Sequence, residues 1–168
     1  MLRGAAALLA VAAGCGAPAA LAQTATTGTP QALFTHQIET DPHTAPDVRD
    51  ALRARRVFVD ANIVFADLTG DGRQDAVVSV DSGGAPGAIA VYVFSTDGAT
   101  KLRAVYRNQR LYRALTAVDG VTLLVTTPSY AAGDEMCCPS QMLQRSLTWS
   151  PQAKRLVLRS RRTVAPAP

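Results

Sequence analysis

Three carboxylates stand at every fourth position in "DLTGDGRQD", residues 67–75: Asp67, Asp71 and Asp75, with Gly70 and Gly72 between them. A hard cation such as calcium takes six to eight oxygen ligands from a backbone that curls around it. If Asp67 is counted as the first ligand position, Thr69 is the third, Asp71 the fifth and Asp75 the ninth. Gly72 permits the sharp turn, and Arg73 offers its carbonyl. Thr69 supplies a neutral hydroxyl in place of a carboxylate, so a site here would be weak. The same residues also suit a metal-free turn between two strands. Asp side chains then accept bonds from nearby backbone amides, and glycine takes positive φ. Both readings stay open, and calcium is the one cofactor the sequence suggests.

The second candidate is the adjacent pair Cys137 and Cys138 in "YAAGDEMCCPSQ". Neighbouring Cα atoms are about 3.8 Å apart across a trans peptide, whereas ordinary disulfides prefer about 4.4–6.8 Å. A bond between these two is therefore expected to be strained and easily reduced. The alternatives are a pair of free thiols, bonds to another chain, or capture of a soft metal. Two thiolates are too few for a structural zinc site, and no histidine lies nearby in the sequence.

Other catalytic arrangements are thinly supplied. Both histidines, His36 and His43, precede Val57, so a Ser-His-Asp or Cys-His site would have to borrow one of them. A carboxylate-pair hydrolase would draw on Asp67, Asp71, Asp75, Asp81, Asp134 and Glu135, most of which stand in turn contexts. Zinc-hydrolase spacing, phosphate loops and dinucleotide fingerprints are absent from the sequence. The expected function is a non-catalytic β module that binds an unknown envelope or extracellular partner through loops 82–87 and 128–140. A thiol-dependent or carboxylate-based secreted enzyme is the alternative.

The elements that must position these residues are mostly strands. From Val57 onward the apolar pattern has period two. "VFVDANIVFADL" gives one strand, or two with a bend at Asn62, and "DAVVSV" and "AIAVYVF" follow. "KLRAVYR", "LYRALTAV", "VTLLVTT", "QMLQRSLTWS" and "KRLVLRS" complete the set. Asp97-Gly98 and Asp119-Gly120 are turn signals. Residues 46–160 thus read as a single β-rich domain of about seven or eight strands, an antiparallel sandwich, roll or partly open barrel. A short helix starts at Pro46, with Asp47 and Asp50 near its positive end and Arg53 near its negative end. Val64, Phe65, Val77, Val91, Val93, Leu124 and Trp149 form the expected core. Residues 23–45 read as a polar lead-in or linker, and 161–168 as a frayed tail.

The chain has 168 residues and a net charge of +4. That excess is spread out and lacks a basic run with interleaved aromatics, so nucleic acid is not an expected partner. Residues 1–22 look like an export signal: Arg3, a short Ala/Leu run, then Ala20 and Ala22 before a cleavage point. "AAGC", ending at Cys15, is a rival reading as a lipoprotein signal ending at residue 14, with Ala12 where Leu is usual. Under either reading the protein is exported, and its sole membrane attachment would be a lipid on Cys15.

The Asp/Gly loop with its flanks "IVFADL" and "DAVVSV" resembles the calcium loop of FG-GAP repeats, found in integrin-like β-propellers and in exported bacterial proteins. The resemblance implies Asp67, Asp71 and Asp75 as ligand side chains, with the Arg73 carbonyl. It covers about fifteen residues in one copy, and a propeller needs several blades, so the propeller fold does not carry over. The "GDEMCCPS" string, followed by a strand containing Trp149 and preceded by "DLTGDG", is similar over roughly residues 63–158 to exported bacterial proteins and lipoproteins without an assigned role. That similarity implies export, and it brings no catalytic residues.

Overall fold

A computed structural model describes the chain over residues 28–96 and 101–166. Residues 1–22, read as an export signal, Cys15 within them and the expected Asp97-Gly98 turn lie outside the described residues. Two helices, α1 (Pro30–Thr40) and α2 (Pro46–Arg53), precede nine strands: β1 (Phe58–Val59), β2 (Val64–Ala66), β3 (Asp75–Asp81), β4 (Ala88–Ser95), β5 (Arg103–Asn108), β6 (Leu115–Asp119), β7 (Thr122–Ser129), β8 (Gln141–Ser150) and β9 (Arg155–Val164). All pairings are antiparallel. One sheet runs β1-β3-β4-β5, with β2 also on β3; the other runs β6-β7-β8-β9. The result is a sandwich with helices on one outer face, and it is not a closed barrel.

The layering follows from side-chain parity. Ala76, Val78 and Val80 of β3 and Ala90, Tyr92 and Phe94 of β4 pack on Phe34, Ile38, Val48 and Leu52 of the two helices. The opposite face sends Val77, Val91, Val93 and Val105 against Leu123, Val125, Leu147 and Leu156 of the second sheet. Strand β4 is therefore buried on both faces and reads as an almost continuous apolar run. Each fully buried Val or Leu contributes about 1.5–3 kcal/mol.

Several sequence expectations are corrected. The supposed linker 23–45 contains α1. Thr29 Oγ1 accepts from Ala32 N at 3.3 Å, and Pro30 opens the helix. Phe34 and Ile38, one turn apart, plant α1 on the sheet. Three further contacts lock the segment down, two of them through Gln109, which the Tyr92 hydroxyl holds in place. Arg107 Nη2 lies 2.6 Å from Asp41 Oδ2. Ala45 N donates to Gln109 Oε1 at 2.6 Å, as does the Tyr92 hydroxyl at 2.8 Å, and Gln109 Nε2 donates to the His43 carbonyl at 3.0 Å. Among the described residues there are thus two helices, and α2 starts at Pro46 as expected.

The supposed tail from residue 161 continues β9 to Val164. The stretch 58–66 breaks in two because Asp60 Oδ1 accepts from Asn62 N at 2.9 Å and Nδ2 at 3.0 Å, an Asx turn. Val64 and Phe65 are not core: they are 38% and 48% exposed on the short edge strand. Leu124 is only partly buried, since its neighbours Leu123 and Val125 point inward. Val77, Val91 and Val93 are buried, and Trp149 packs at the core's margin. Residues 111–114, read as the start of β6, lie in the connection before it.

Candidate functional site

The Asp/Gly loop connects β2 to β3 and hangs from the core by Leu68, which is fully buried between the sheets. Gly70 and Gly72 take φ of +74° and +80°, where a residue with a Cβ is strained. All three carboxylates point back at the loop's own backbone. Asp67 accepts from Gly70 N at 2.6 Å, Asp71 N at 3.2 Å and Gly72 N at 2.9 Å. Asp71 accepts from Arg73 N at 2.9 Å. Asp75, 1% exposed, takes the amides of Leu68 and Thr69 on one oxygen, both at 2.8 Å. Thr69 Oγ1 stands 3.5 Å from the other oxygen. Leu68 N also donates to the Ala66 carbonyl at 3.1 Å, and together these bonds account for the loop's shape.

The two loops expected to make contacts converge elsewhere. Loop 82–87, the connection 109–114 and loop 130–140 wall a groove of about 990 Å³ that runs over Ala88, Ala114 and Met142. Arg113 joins all three walls. Its backbone is left-handed at φ 48°, and its amide donates to the Pro86 carbonyl at 2.7 Å. Its Nη1 donates to the carbonyls of Met136 and Cys137 at 3.0 and 3.2 Å. A Cβ on Gly87 would sit 3.2 Å from Arg113 Cα, and Gly87 has φ +55°, so this close approach needs glycine.

Loop 130–140 is braced by its own side chains. The Tyr130 hydroxyl donates to the Met136 carbonyl at 2.9 Å. Asp134 Oδ2 accepts the amides of Ala131 and Ser140, both at 2.8 Å. The bond from Ser140, then that from Ala131, holds the Asp134 carboxyl below the usual carboxylate range. Cys137 and Cys138 are bonded to each other, with Cα atoms 3.8 Å apart, and both line the groove.

Two charged side chains line this groove, Asp81 and Arg113. Arg113 spends its charge on carbonyls, and Asp81 takes the Gly83 amide at 2.6 Å. What remains is apolar, with Leu115 57% and Met136 74% exposed on the rim. Glu135 Oε2 stands 3.5 Å from Cys137 Sγ. Neither histidine lines the groove. His43 stands beside Asp41, Nδ1 to Oδ1 3.2 Å, on the helix side. Among the described residues no group of three or more His, Cys, Asp or Glu side chains converges as a metal cage, and no helix is long and apolar enough to cross a membrane.

The structure thus keeps the Asp/Gly loop and the cysteine loop as separate features. It adds Arg113, Met136 and Leu115 to the second, residues that no motif in the sequence singles out. Comparison of the chain with protein-family models, curated proteins and solved structures gives no match.

Proposed function

We propose that this is a non-catalytic binding module, exported and working at the cell envelope or outside the cell, which takes an apolar segment of a protein partner into the groove beside Cys137 and Cys138. One observation carries the reading: three separate loops are pinned by Arg113 around one concave apolar surface. Exposed apolar area rimmed by polar loops marks contact surfaces. A pre-braced groove also loses less entropy on binding than mobile loops would. The bonded cysteine pair stiffens one wall and is in keeping with an oxidising compartment. On this reading the Asp/Gly loop is a self-closed turn, and a calcium-filled form is the alternative.

Peptides selected against the purified protein from a random display library test the groove. They are expected to be rich in aromatic and aliphatic residues and to protect loops 82–87 and 130–140 from hydrogen exchange. Met136→Glu and Leu115→Glu should each weaken them tenfold or more. Binders that map elsewhere, or that ignore both substitutions, would overturn the proposal. The enzyme alternative requires reactive sulfur or a carboxylate pair. It gains support only if Cys137→Ser/Cys138→Ser folds normally yet loses an activity the parent has.

A further inference from the structure

A second groove, of about 630 Å³, lies where the edge strand β5 approaches the β8–β9 hairpin. Of its fifteen lining residues six are cationic (Arg103, Arg107, Arg145, Lys154, Arg155 and Arg161), and none is acidic. Arg107 is neutralised by Asp41. Arg145 and Arg161 are not so placed: they are direct cross-strand partners on β8 and β9, and both line the groove. Like charges opposite one another in a sheet are destabilising. Arg145 Nη1 donates to Thr127 Oγ1 at 3.1 Å, and among the described residues neither arginine has a carboxylate partner.

Cations on an edge strand also serve to block pairing with other chains, and the two arginines of β9 outside the groove show what that role looks like. Arg159 Nε donates to Thr148 Oγ1 and Arg162 Nε to Gln144 Oε1, each at 2.7 Å, so both are held by neutral neighbours across the strand. Nothing about edge protection requires Arg145 and Arg161 to confront each other inside a concavity. Two forked guanidiniums that share one space suit an oxyanion, which each can grip in bidentate fashion. Tyr106 lines the same groove, and burial pushes its hydroxyl up, so it remains a neutral donor.

The cations extend from Arg155 to Arg161, a strand length of roughly 20 Å at about 3.3 Å per residue. That exceeds any single phosphate. The lining holds one aromatic residue, Tyr106, too few for a base-stacking platform of the kind single-stranded nucleic acids use. We propose that this groove binds a flexible linear polyanion with repeated phosphate groups, one phosphate seated between Arg145 and Arg161.

Long-chain inorganic polyphosphate, titrated by calorimetry at low and moderate salt, is the probe, with a single-stranded dT20 oligonucleotide as comparison. Binding should weaken as salt rises. Arg145→Gln/Arg161→Gln should cost tenfold or more in affinity, and Arg159→Gln/Arg162→Gln less than threefold. Without ligand, Arg161→Gln should melt higher than the parent, because the facing charges are relieved. Absence of binding at low salt, equal losses from the two pairs of substitutions, or dT20 bound as tightly as polyphosphate would each overturn the proposal.

Discussion

Replacing Asp75 by alanine separates the turn reading of the Asp/Gly loop from the calcium reading. The side chain is 1% exposed, and its Oδ2 is the acceptor for two amides, Leu68 N and Thr69 N, both at 2.8 Å. Leu68 is fully buried and Thr69 nearly so, so water cannot readily replace the lost oxygen. Leu68 N keeps a second acceptor, the Ala66 carbonyl at 3.1 Å, so Thr69 N is the donor left unpaired, at a cost of ~1–3 kcal/mol. With a urea slope of ~1–3 kcal/mol/M, the unfolding midpoint should fall by ~1 M. Asp75→Asn keeps one carbonyl oxygen, and both amides share one oxygen, so it should recover most of the loss. Asp71→Ala removes a single exposed bond to Arg73 N and should shift stability by less than about 0.5 kcal/mol. Urea unfolding followed by tryptophan fluorescence and circular dichroism, with calcium and with chelator, measures all three. The turn reading is wrong if Asp75→Ala and Asp71→Ala cost the same. It is equally wrong if calcium raises the parent's midpoint and either substitution abolishes that rise.

Two more tests address the docking of the N-terminal segment. Phe34→Ala should cost ~3–5 kcal/mol, since Phe34 is 3% exposed with its ring centroid 5.2 Å from that of Phe94; an unchanged melting curve would return α1 to the status of a linker. Burial opposes ionisation of Asp41, but the His43 amide and Arg107 outweigh it and hold its carboxyl below the ordinary 3.8. Because the folded value is the lower one, the stabilisation is complete above the ordinary value and disappears as pH falls from there through the folded value. Asp41→Asn should therefore flatten the acid limb of the stability profile, with a remainder left by Asp134, and overlaid profiles would contradict this.

The class of fold was legible because period-two runs and Gly turns report directly on strands. Val77, Val91 and Val93 were found because β3 and β4 are apolar on both faces. Val64 and Phe65 failed as core predictions because period alone does not say whether a strand lies at an edge. Leu124 failed by one residue, in a run where Leu123, Leu124 and Val125 are all apolar. Helix α1 was missed under a polar composition, although Thr29, Pro30 and the pair Phe34 and Ile38 carried its signal. The end of β9 was missed because Arg161 and Arg162 read as solvated tail, whereas an edge strand tolerates them. Of the candidate groove, the loops were legible and their convergence was not. It depends on Arg113 in a left-handed backbone conformation, which no local pattern announces.

The order of the strands also bears on how the chain folds. Apart from β1 on β3, every pairing within the two sheets joins strands that are consecutive in the chain, as β2 with β3 and β8 with β9. Contacts between sequence neighbours close short loops, whose entropic cost is small, and topologies built from them fold faster than those that bring distant segments together. Each sheet is a meander that can zip up hairpin by hairpin as it leaves the ribosome. The long-range work then reduces to seating one finished meander on the other and laying the two helices over the outer face.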